Sequence, residues 1–225
     1  MGVFSDREIR RAIEIGQIVV DPYEPENVKG SSLDLRLGEW FYVTDSATNQ
    51  DYYNPFDENS VNDYFKGPLK AVSNQEWADH HNRKPWNNIS LYQPIIVLRP
   101  HERILAHTVE YVGIAYEGTT TMQARSTWGR NGIVVCKDAG WGDPGYINRW
   151  TMEIQNDNDV SVPLPVGMRI AQMVFYKMNK SEKVYGDSDK YQVKGGIEVV
   201  KRSWRPEMML PRAFKDTIEL PTSGF

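Results

Sequence analysis

The N-terminal residues combine a helix-start signal with apolar positions at helical spacing. Residues 5–8 read Ser-Asp-Arg-Glu, the form of a capping box, in which serine and glutamate side chains satisfy backbone N–H groups at a helix start. Ile9, Ala12 and Ile13 follow on one helix face, and Gly16 provides a stop signal. We therefore expect one short N-terminal helix that serves as scaffold.

Short apolar segments separated by turn residues dominate the rest of the chain. They are residues 30–38, 95–98, 104–112, 133–135 and 162–175. Several of them alternate polar and apolar residues, which is typical of half-buried strands. We expect an all-β protein with a distorted, mainly antiparallel β-barrel or jelly-roll-like fold. In the first segment we expect a buried Asp34–Arg36 network, since buried charges are usually paired; direct contact of these residues with a ligand is the alternative.

Two stretches lack a clear period. Residues 45–90 are rich in Asn, Asp, Tyr and Trp, and we interpret them as an insertion or a long excursion on the surface. His80 and His81 follow Asp79 there, but a metal site needs several converging ligands, so this pair favours a solvated surface. Residues 206–225 contain three prolines and predict an extended tail that packs on a neighbouring subunit or is partly disordered.

Composition narrows the function classes. The 225 residues are 40% hydrophobic and 25% charged, with a net charge of -4, which is typical of a soluble globular protein and argues against broad attraction to nucleic acid or anionic membrane. No apolar run resembles a signal peptide or a membrane span. The single cysteine cannot form an intrachain disulfide, so we expect a reducing, cytoplasmic setting.

The strongest candidate chemistry lies in residues 125–153. Side chains that bind phosphates cluster at its start: Arg125, Ser126, Thr127 and Arg130. Near its end, Glu153 stands between Met152 and Ile154. Desolvation there predicts a raised pKa for the Glu153 carboxyl, which suits proton transfer at neutral pH. The alternative is an ordinary strand carboxylate paired with Arg149 or Arg169.

Three irregular motifs in this region resemble the dCTP deaminase family, within the dUTPase-like superfamily. The family's R-S-S-x-x-R-x-G segment corresponds to residues 125–132, T-A-G-x-I-D-P-G-F to residues 138–146, and L-E-x-x-N to residues 152–156. Residues 32–38 and 100–112 resemble two further family segments. The resemblance implies one dUTPase-type domain over residues 1–225, with the insertion at 45–90. It also implies a homotrimer with sites between subunits and a C-terminal tail, from about residue 185, that closes over the nucleotide.

The resemblance also assigns roles in the site. Glu153 would act as general base and acid, Arg130 and Ser126 would lie beside the base and the attacking water, and the Ala139 carbonyl would help to hold that water. The implied nucleotide-binding residues are Arg125, Ser126, Thr127, Arg130, Cys136, Lys137, Asp143, Tyr185, Lys190 and Lys194. Cys136 and Lys137 would act through main-chain groups, and Cys136 as a nucleophile is disfavoured because no histidine lies nearby in sequence.

The implied reaction is hydrolytic deamination of dCTP to dUTP and ammonia. Zinc is not expected, because one cysteine and four histidines lack the spacing of zinc-dependent deaminases; Mg²⁺ would accompany the triphosphate. In the dUTPase branch the aspartate matching Asp143 positions water at the α-phosphorus, so a bifunctional enzyme giving dUMP and pyrophosphate is an alternative. A non-catalytic trimeric nucleotide-binding protein is another, because Asp138, Val166 and Lys194 depart from the family pattern. A modified cytosine nucleotide as substrate also stays open.

Overall fold

The structure is a computed structural model that describes residues 2–44, 52–137, 139–185 and 190–216. These residues form five α-helices: α1 (Asp6–Glu14), α2 (Glu58–Tyr64), α3 (Asn74–His80), α4 (Ser126–Arg130) and α5 (Ile197–Ser203). They form thirteen strands: β1 (Ile18–Asp21), β2 (Val28–Lys29), β3 (Ser32–Thr44), β4 (Phe65–Lys70), β5 (Val72–Ser73), β6 (Pro94–Leu98), β7 (Arg103–Ile114), β8 (Gly118–Ala124), β9 (Ile133–Val135), β10 (Trp141–Gly142), β11 (Asn148–Asn156), β12 (Val162–Pro165) and β13 (Arg169–Lys177). None of the described helices is long and apolar enough to cross a membrane.

The strands form a large antiparallel sheet and a small one. The large sheet has the order β10-β8-β13-β3-β7-β11-β9, with β1 attached to β7 and with β2 and β4 attached to β3; the small sheet has the order β12-β6-β5. The first half of β3 pairs with β13 and its second half pairs with β7, with a register shift in each pairing. Such shifts bend a strand, so β3 turns the sheet around the main core. The predicted mainly-β, barrel-like fold is confirmed.

The N-terminal helix forms as its sequence predicts. Ser5 Oγ accepts a hydrogen bond from the Glu8 backbone N–H at 3.4 Å, and the Glu8 carboxylate accepts one from the Ser5 N–H at 2.9 Å. Ile9 and Ala12 are buried in the main core. The helix ends at Glu14, and Gly16 follows with φ +74°, a left-handed conformation that glycine adopts without strain.

The expected Asp34–Arg36 network is wrong, because each residue has other partners. Asp34 is buried and forms ion pairs with Arg125 and with Arg169, the latter at 3.1 Å. Arg36 donates to the buried Glu110 at 2.6 Å. Residues i and i+2 of one strand are about 7 Å apart, whereas side chains on neighbouring strands approach more closely. The charges of β3 are therefore neutralised across the sheet and not along the strand.

The described part of residues 45–90 contains regular elements despite its weak periodicity. Residues 52–80 include α2, β4, β5 and α3, and Ser73 caps α3 through a second capping box with Glu76. Val61 and Phe65 belong to a small apolar cluster that also contains Met209 of the C-terminal segment. Two distant parts of the chain therefore pack together over one face of the large sheet.

A close approach in the sheet involves Gly38 and His107. A Cβ on Gly38 would lie 2.0 Å from Cε1 of the His107 ring, which fills that space. The His107 Nε2 accepts a hydrogen bond from the Trp40 backbone N–H at 3.2 Å, and the other ring nitrogen lies 2.7 Å from the Thr108 carbonyl oxygen. Burial lowers the pKa of His107 to about 4, so the ring is neutral near pH 7.

Candidate active site

Strand β11 lines a cavity with a volume of about 970 Å³. Residues alternate in exposure along β11, so Trp150, Met152 and Ile154 pack in the main core, with Trp150 also reaching the cavity. Arg149, Thr151 and Glu153 share the opposite face and line the cavity. Strand geometry thus presents a guanidinium, a hydroxyl and a carboxylate in a row.

Glu153 has the environment of a proton-transfer group. Burial raises the pKa of its carboxyl, while its own backbone N–H and the positive charge of Arg103 oppose that rise. Its Oε2 atom is buried and accepts no hydrogen bond within the described part of the chain. The alternative pairing with Arg149 or Arg169 is not seen, because Arg169 pairs with Asp34 and Arg149 contacts aromatic rings.

Cys136 lies next to Glu153 and is unsuited to act as a nucleophile. Its backbone N–H donates to the Glu153 carbonyl at 3.1 Å. Burial raises the pKa of the Cys136 thiol well above its usual range, and the Glu153 charge adds to that rise. A protonated, buried thiol is unreactive. Its φ of +54° turns the chain out of β9 toward the glycine-rich segment that follows.

The glycine-rich segment brings Ala139 and Asp143 to the cavity wall. A Cβ on Gly140 would lie 2.2 Å from the Met122 carbonyl oxygen, and a Cβ on Gly142 would lie 2.3 Å from the Trp150 ring. Glycine at these two positions therefore allows the segment to pack tightly against β8 and β11. Asp143 is exposed and lines the same cavity as Glu153.

The C-terminal segment supplies Tyr185 and Lys190, two of the residues expected to bind nucleotide, to the cavity and adds further residues. The Tyr185 backbone N–H donates to the Pro144 carbonyl at 2.8 Å, and Lys190 pairs with Asp216 at 2.6 Å. Gln192 is 8% exposed; its amide donates to Gly145 O at 2.8 Å and accepts from the Ile147 N–H at 2.6 Å. The segment is thus fixed to the turn that carries Asp143.

The residues of α4 lie apart from this cavity within one chain. Ser126, Thr127 and Arg130 are exposed and do not line the cavity. Arg125, directly before them, forms the ion pair with Asp34. The predicted proximity of Ser126 and Arg130 to Glu153 is therefore not formed inside a single chain.

The remaining predicted residues take other positions. Lys137 and Lys194 are exposed and do not line the cavity. Asp138, the departure from the family pattern, lies outside the described residues. His81 stacks on Trp77 at 4.6 Å and its Nδ1 lies 2.7 Å from the Trp77 carbonyl oxygen, so its contacts are local.

Sequence reasoning missed several cavity residues. Arg103 and Arg149 add positive charge, and aromatic and apolar side chains come from elements distant in sequence: Phe65, Leu105, Tyr146, Tyr191, Trp204, Met208 and Met209. For Arg149 a signal exists in the alternation of β11, which places residue 149 on the face of residue 153. For Phe65 and Trp204 no local pattern indicates the cavity.

The fold and this cavity define a mainly-β protein with a cavity of about 970 Å³ that contains the Glu153 carboxyl, whose buried Oε2 accepts no hydrogen bond from the described residues. Among solved structures, the chain is similar to the crystal structure of 2'-deoxycytidine 5'-triphosphate deaminase from Agrobacterium tumefaciens, with a TM-score of 0.54 and 17% identity; the match covers 78% of this chain and 48% of that chain. This likeness supports the fold, and the chain spans about half the length of that solved chain.

The sequence comparisons identify the family. The family model described as dCTP deaminase-like matches residues 3–178. A relative from Aquifex aeolicus named "dCTP deaminase, dUMP-forming" is 34% identical over 87% of this chain and 92% of its own length, and one of the same name from Methanosphaera stadtmanae is 33% identical over 89% and 94%. The chain therefore belongs to the dCTP deaminase-like family, as its motifs predicted.

Proposed function

We propose that this protein deaminates dCTP and hydrolyses the resulting dUTP to dUMP and pyrophosphate. The main support is that Glu153 and Asp143 line one cavity in a chain whose relatives are named as dUMP-forming dCTP deaminases. Those names favour the bifunctional alternative over the dUTP end product that the motifs first suggested. Asp143 is the carboxylate that would act in the second step, the hydrolysis of dUTP.

In the first step Glu153 takes a proton from water, and the resulting hydroxide attacks C4 of the cytosine ring. Glu153 passes this proton to N3 and then transfers the proton of the new C4 hydroxyl to the amino group, so that the C4–N bond breaks, ammonia leaves and the C4 carbonyl forms. A carboxyl whose pKa is raised by burial can both accept and return a proton near neutral pH. The unbonded Oε2 supplies an acceptor for the water.

In the second step a water molecule attacks the α-phosphorus of dUTP, and the bond to the bridging oxygen breaks to release pyrophosphate. We assign Asp143 to position and deprotonate this water, since its exposed carboxylate lines the cavity near Tyr185 and Lys190. Mg²⁺ would enter with the triphosphate, which offers the oxygen ligands that this ion prefers.

A neighbouring copy of the chain would complete the site. Ser126 and Arg130 are exposed on α4, so they are free to approach the Glu153 cavity of a second subunit. Arg130 would stabilise negative charge that develops at the reacting centre, and Ser126 would hold the water or a phosphate. This arrangement agrees with the homotrimer that the motifs imply.

Product analysis tests the proposal. The protein is incubated with dCTP and with dUTP, each with Mg²⁺, and the nucleotides are separated by chromatography. We expect dUMP from both substrates, Glu153→Gln to abolish dCTP conversion only, and Asp143→Asn to make dUTP accumulate from dCTP. Accumulation of dUTP by the unaltered protein would instead establish a simple deaminase. Nucleotide binding without any product would establish a binding protein.

A further inference from the structure

Arg149 is held in the cavity by two aromatic rings. Its guanidinium carbon lies 4.9 Å from the ring centre of Tyr111 on β7 and 4.7 Å from that of Trp204, which follows α5. Its Nε donates to the Val109 carbonyl at 3.3 Å. Two cation–π contacts and this hydrogen bond hold the guanidinium in position before any ligand binds.

The edge of that guanidinium plane is left for a ligand. Within residues 2–44, 52–137, 139–185 and 190–216, no carboxylate forms an ion pair with Arg149, and no acceptor bonds to its Nη atoms. Guanidinium N–H groups donate in the plane of the group. The two terminal nitrogens of Arg149, on a cavity wall and close to two aromatic rings, thus form a fork that matches planar or tetrahedral oxyanions.

The charges around this group favour an anion. Lys201 and Arg205 both lie close enough to lower the pKa of the Tyr111 hydroxyl, whose ring contacts Arg149. The nearby carboxylate of Asp21 is already paired with Lys201. The exposed carboxylate of Glu198 is also paired with Lys201. Among the residues that the structure describes, no carboxylate is therefore paired with the guanidinium of Arg149.

The spacing along β11 separates Arg149 from the reacting base. Residues 149 and 153 are four apart on the same face, or about 13 Å along a strand. A cytosine ring in contact with Glu153 cannot reach Arg149, whereas the phosphates of an extended nucleotide can. Tyr111 lies directly opposite Arg149 on the neighbouring strand. Its ring therefore holds the guanidinium near position 149 and away from Glu153.

We propose that Arg149 is a phosphate-binding residue of this cavity, which donates in-plane hydrogen bonds to a phosphoryl group. This inference rests on the proposed function for the identity of the nucleotide. Either the triphosphate of the substrate or a separate phosphate-containing anion supplies the group. Arg149 would add to the predicted contacts of Tyr185 and Lys190, and Trp204 would link its position to the C-terminal segment.

Binding measurements in a background of Glu153→Gln test this without turnover. Dissociation constants are measured by calorimetry for dCTP, deoxycytidine and inorganic tripolyphosphate, with and without Arg149→Met. Loss of a charge-assisted fork should weaken dCTP and tripolyphosphate about 10- to 100-fold and deoxycytidine less than about twofold. Arg11→Met, which removes an exposed arginine of α1, changes the net charge equally and should leave all three constants unchanged.

The outcomes separate this inference from the proposed function. Equal weakening for deoxycytidine and dCTP would show that Arg149 only supports the fold, and would overturn the inference even in a protein that deaminates dCTP. Arg149-dependent tripolyphosphate binding in a protein that leaves dCTP unchanged would support the phosphate site and overturn the function. Competition between tripolyphosphate and dCTP would show that Arg149 binds the triphosphate of the substrate. Simultaneous binding of the two would show that Arg149 binds a separate anion.

A second variant covers the case in which Arg149→Met does not fold, as judged by thermal unfolding. Arg149→Lys keeps the charge and the aliphatic stem but loses the planar fork. It should weaken tripolyphosphate binding about 3- to 10-fold, less than removal of the charge. Unchanged tripolyphosphate binding in this variant would contradict the proposed hydrogen-bond geometry.

Discussion

Glu153 lowers the stability of the folded protein at neutral pH. Its carboxyl pKa is raised above the ordinary value of 4.5 by burial, and its Oε2 has no hydrogen bond within the described chain. The folded state therefore holds this proton more tightly than the unfolded state does. The resulting penalty is absent below the ordinary pKa and reaches its full size above the raised pKa.

We predict that Glu153→Gln stabilises the protein while it abolishes deamination. The free energy of unfolding should increase by about 1 kcal/mol near pH 8, because an uncompensated buried charge is removed. The gain should disappear toward about pH 4, where the native carboxyl is also protonated. Thermal unfolding of both proteins between about pH 4 and pH 8 measures this difference in stability. Glu14→Gln, at an exposed position, is the control; a gain independent of pH would contradict the prediction.

The same raised pKa predicts the pH dependence of the reaction. Deamination needs the ionised Glu153 carboxylate, so kcat for dCTP should fall as pH decreases through a value above 4.5. Hydrolysis of dUTP does not use Glu153 in the proposed mechanism, so its rate should not follow the ionisation of Glu153. Rates for both substrates over one pH series test this, and parallel acid limbs would show that Glu153 does not act as the base.

At the scale of elements, Gln192 joins the C-terminal segment to the turn between β10 and β11. The buried side-chain amide of Gln192 donates to the Gly145 carbonyl and accepts from the Ile147 N–H. These are the two kinds of hydrogen bond that the backbone of a neighbouring strand would form. Asn148 adds a bond from its side chain to the Tyr191 carbonyl at 2.9 Å. Because the turn also contains Asp143, we infer that the position of Asp143 relative to Glu153 depends on this junction.

We predict that Gln192→Ala destabilises the protein by about 1 to 3 kcal/mol, because two partly buried backbone groups lose their partners. Exchange of the Ile147 amide hydrogen should accelerate, and dUTP hydrolysis should decrease more than deamination. Gln123→Ala, at an exposed position of β8, should change stability by less than about 0.5 kcal/mol. Unchanged exchange at Ile147 would show that the junction does not hold the turn.

Local signals decided how far the elements could be predicted from sequence. The capping box at Ser5 and the alternation of residues 30–38 in β3 specify their structure through neighbouring residues, and both are predicted from the sequence; the alternation in β11 is a similar signal that the prediction does not use. The capping box at Ser73 is an equally local signal that was not used. Asp34 was placed correctly in a buried strand but given the wrong partner, since the pairing of strands joins residues 135 positions apart, which no local pattern encodes.

At the scale of the whole molecule, the separation of α4 from the Glu153 cavity bears on assembly. The motif residues Ser126 and Arg130 were found from sequence, whereas their distance from Glu153 within one chain was not. The cavity wall itself joins Phe65, Arg149 and Trp204 through long-range contacts. Sequence therefore indicated the chemical groups of the site, but their arrangement required the structure.

We predict that two inactive variants restore activity when they form mixed oligomers. Glu153→Gln supplies an intact Arg130, and Arg130→Ala supplies an intact Glu153. If each site combines these residues from neighbouring subunits, random mixing should return about a quarter of the normal deamination rate. The variants are unfolded, mixed and refolded together, then assayed with dCTP. Separately refolded samples are the control, and an inactive mixture would place both residues in one subunit.

The contact between Gly38 and His107 has a consequence for sequence variation among relatives. The imidazole occupies the volume that any side chain at position 38 would need. A relative with any residue larger than glycine at position 38 must therefore have a residue smaller than histidine at position 107. Substitutions at the two positions are thus expected to occur together. The Trp204 ring lies 4.7 Å from that of His107 and also lines the cavity, so this steric constraint between positions 38 and 107 extends to the cavity wall.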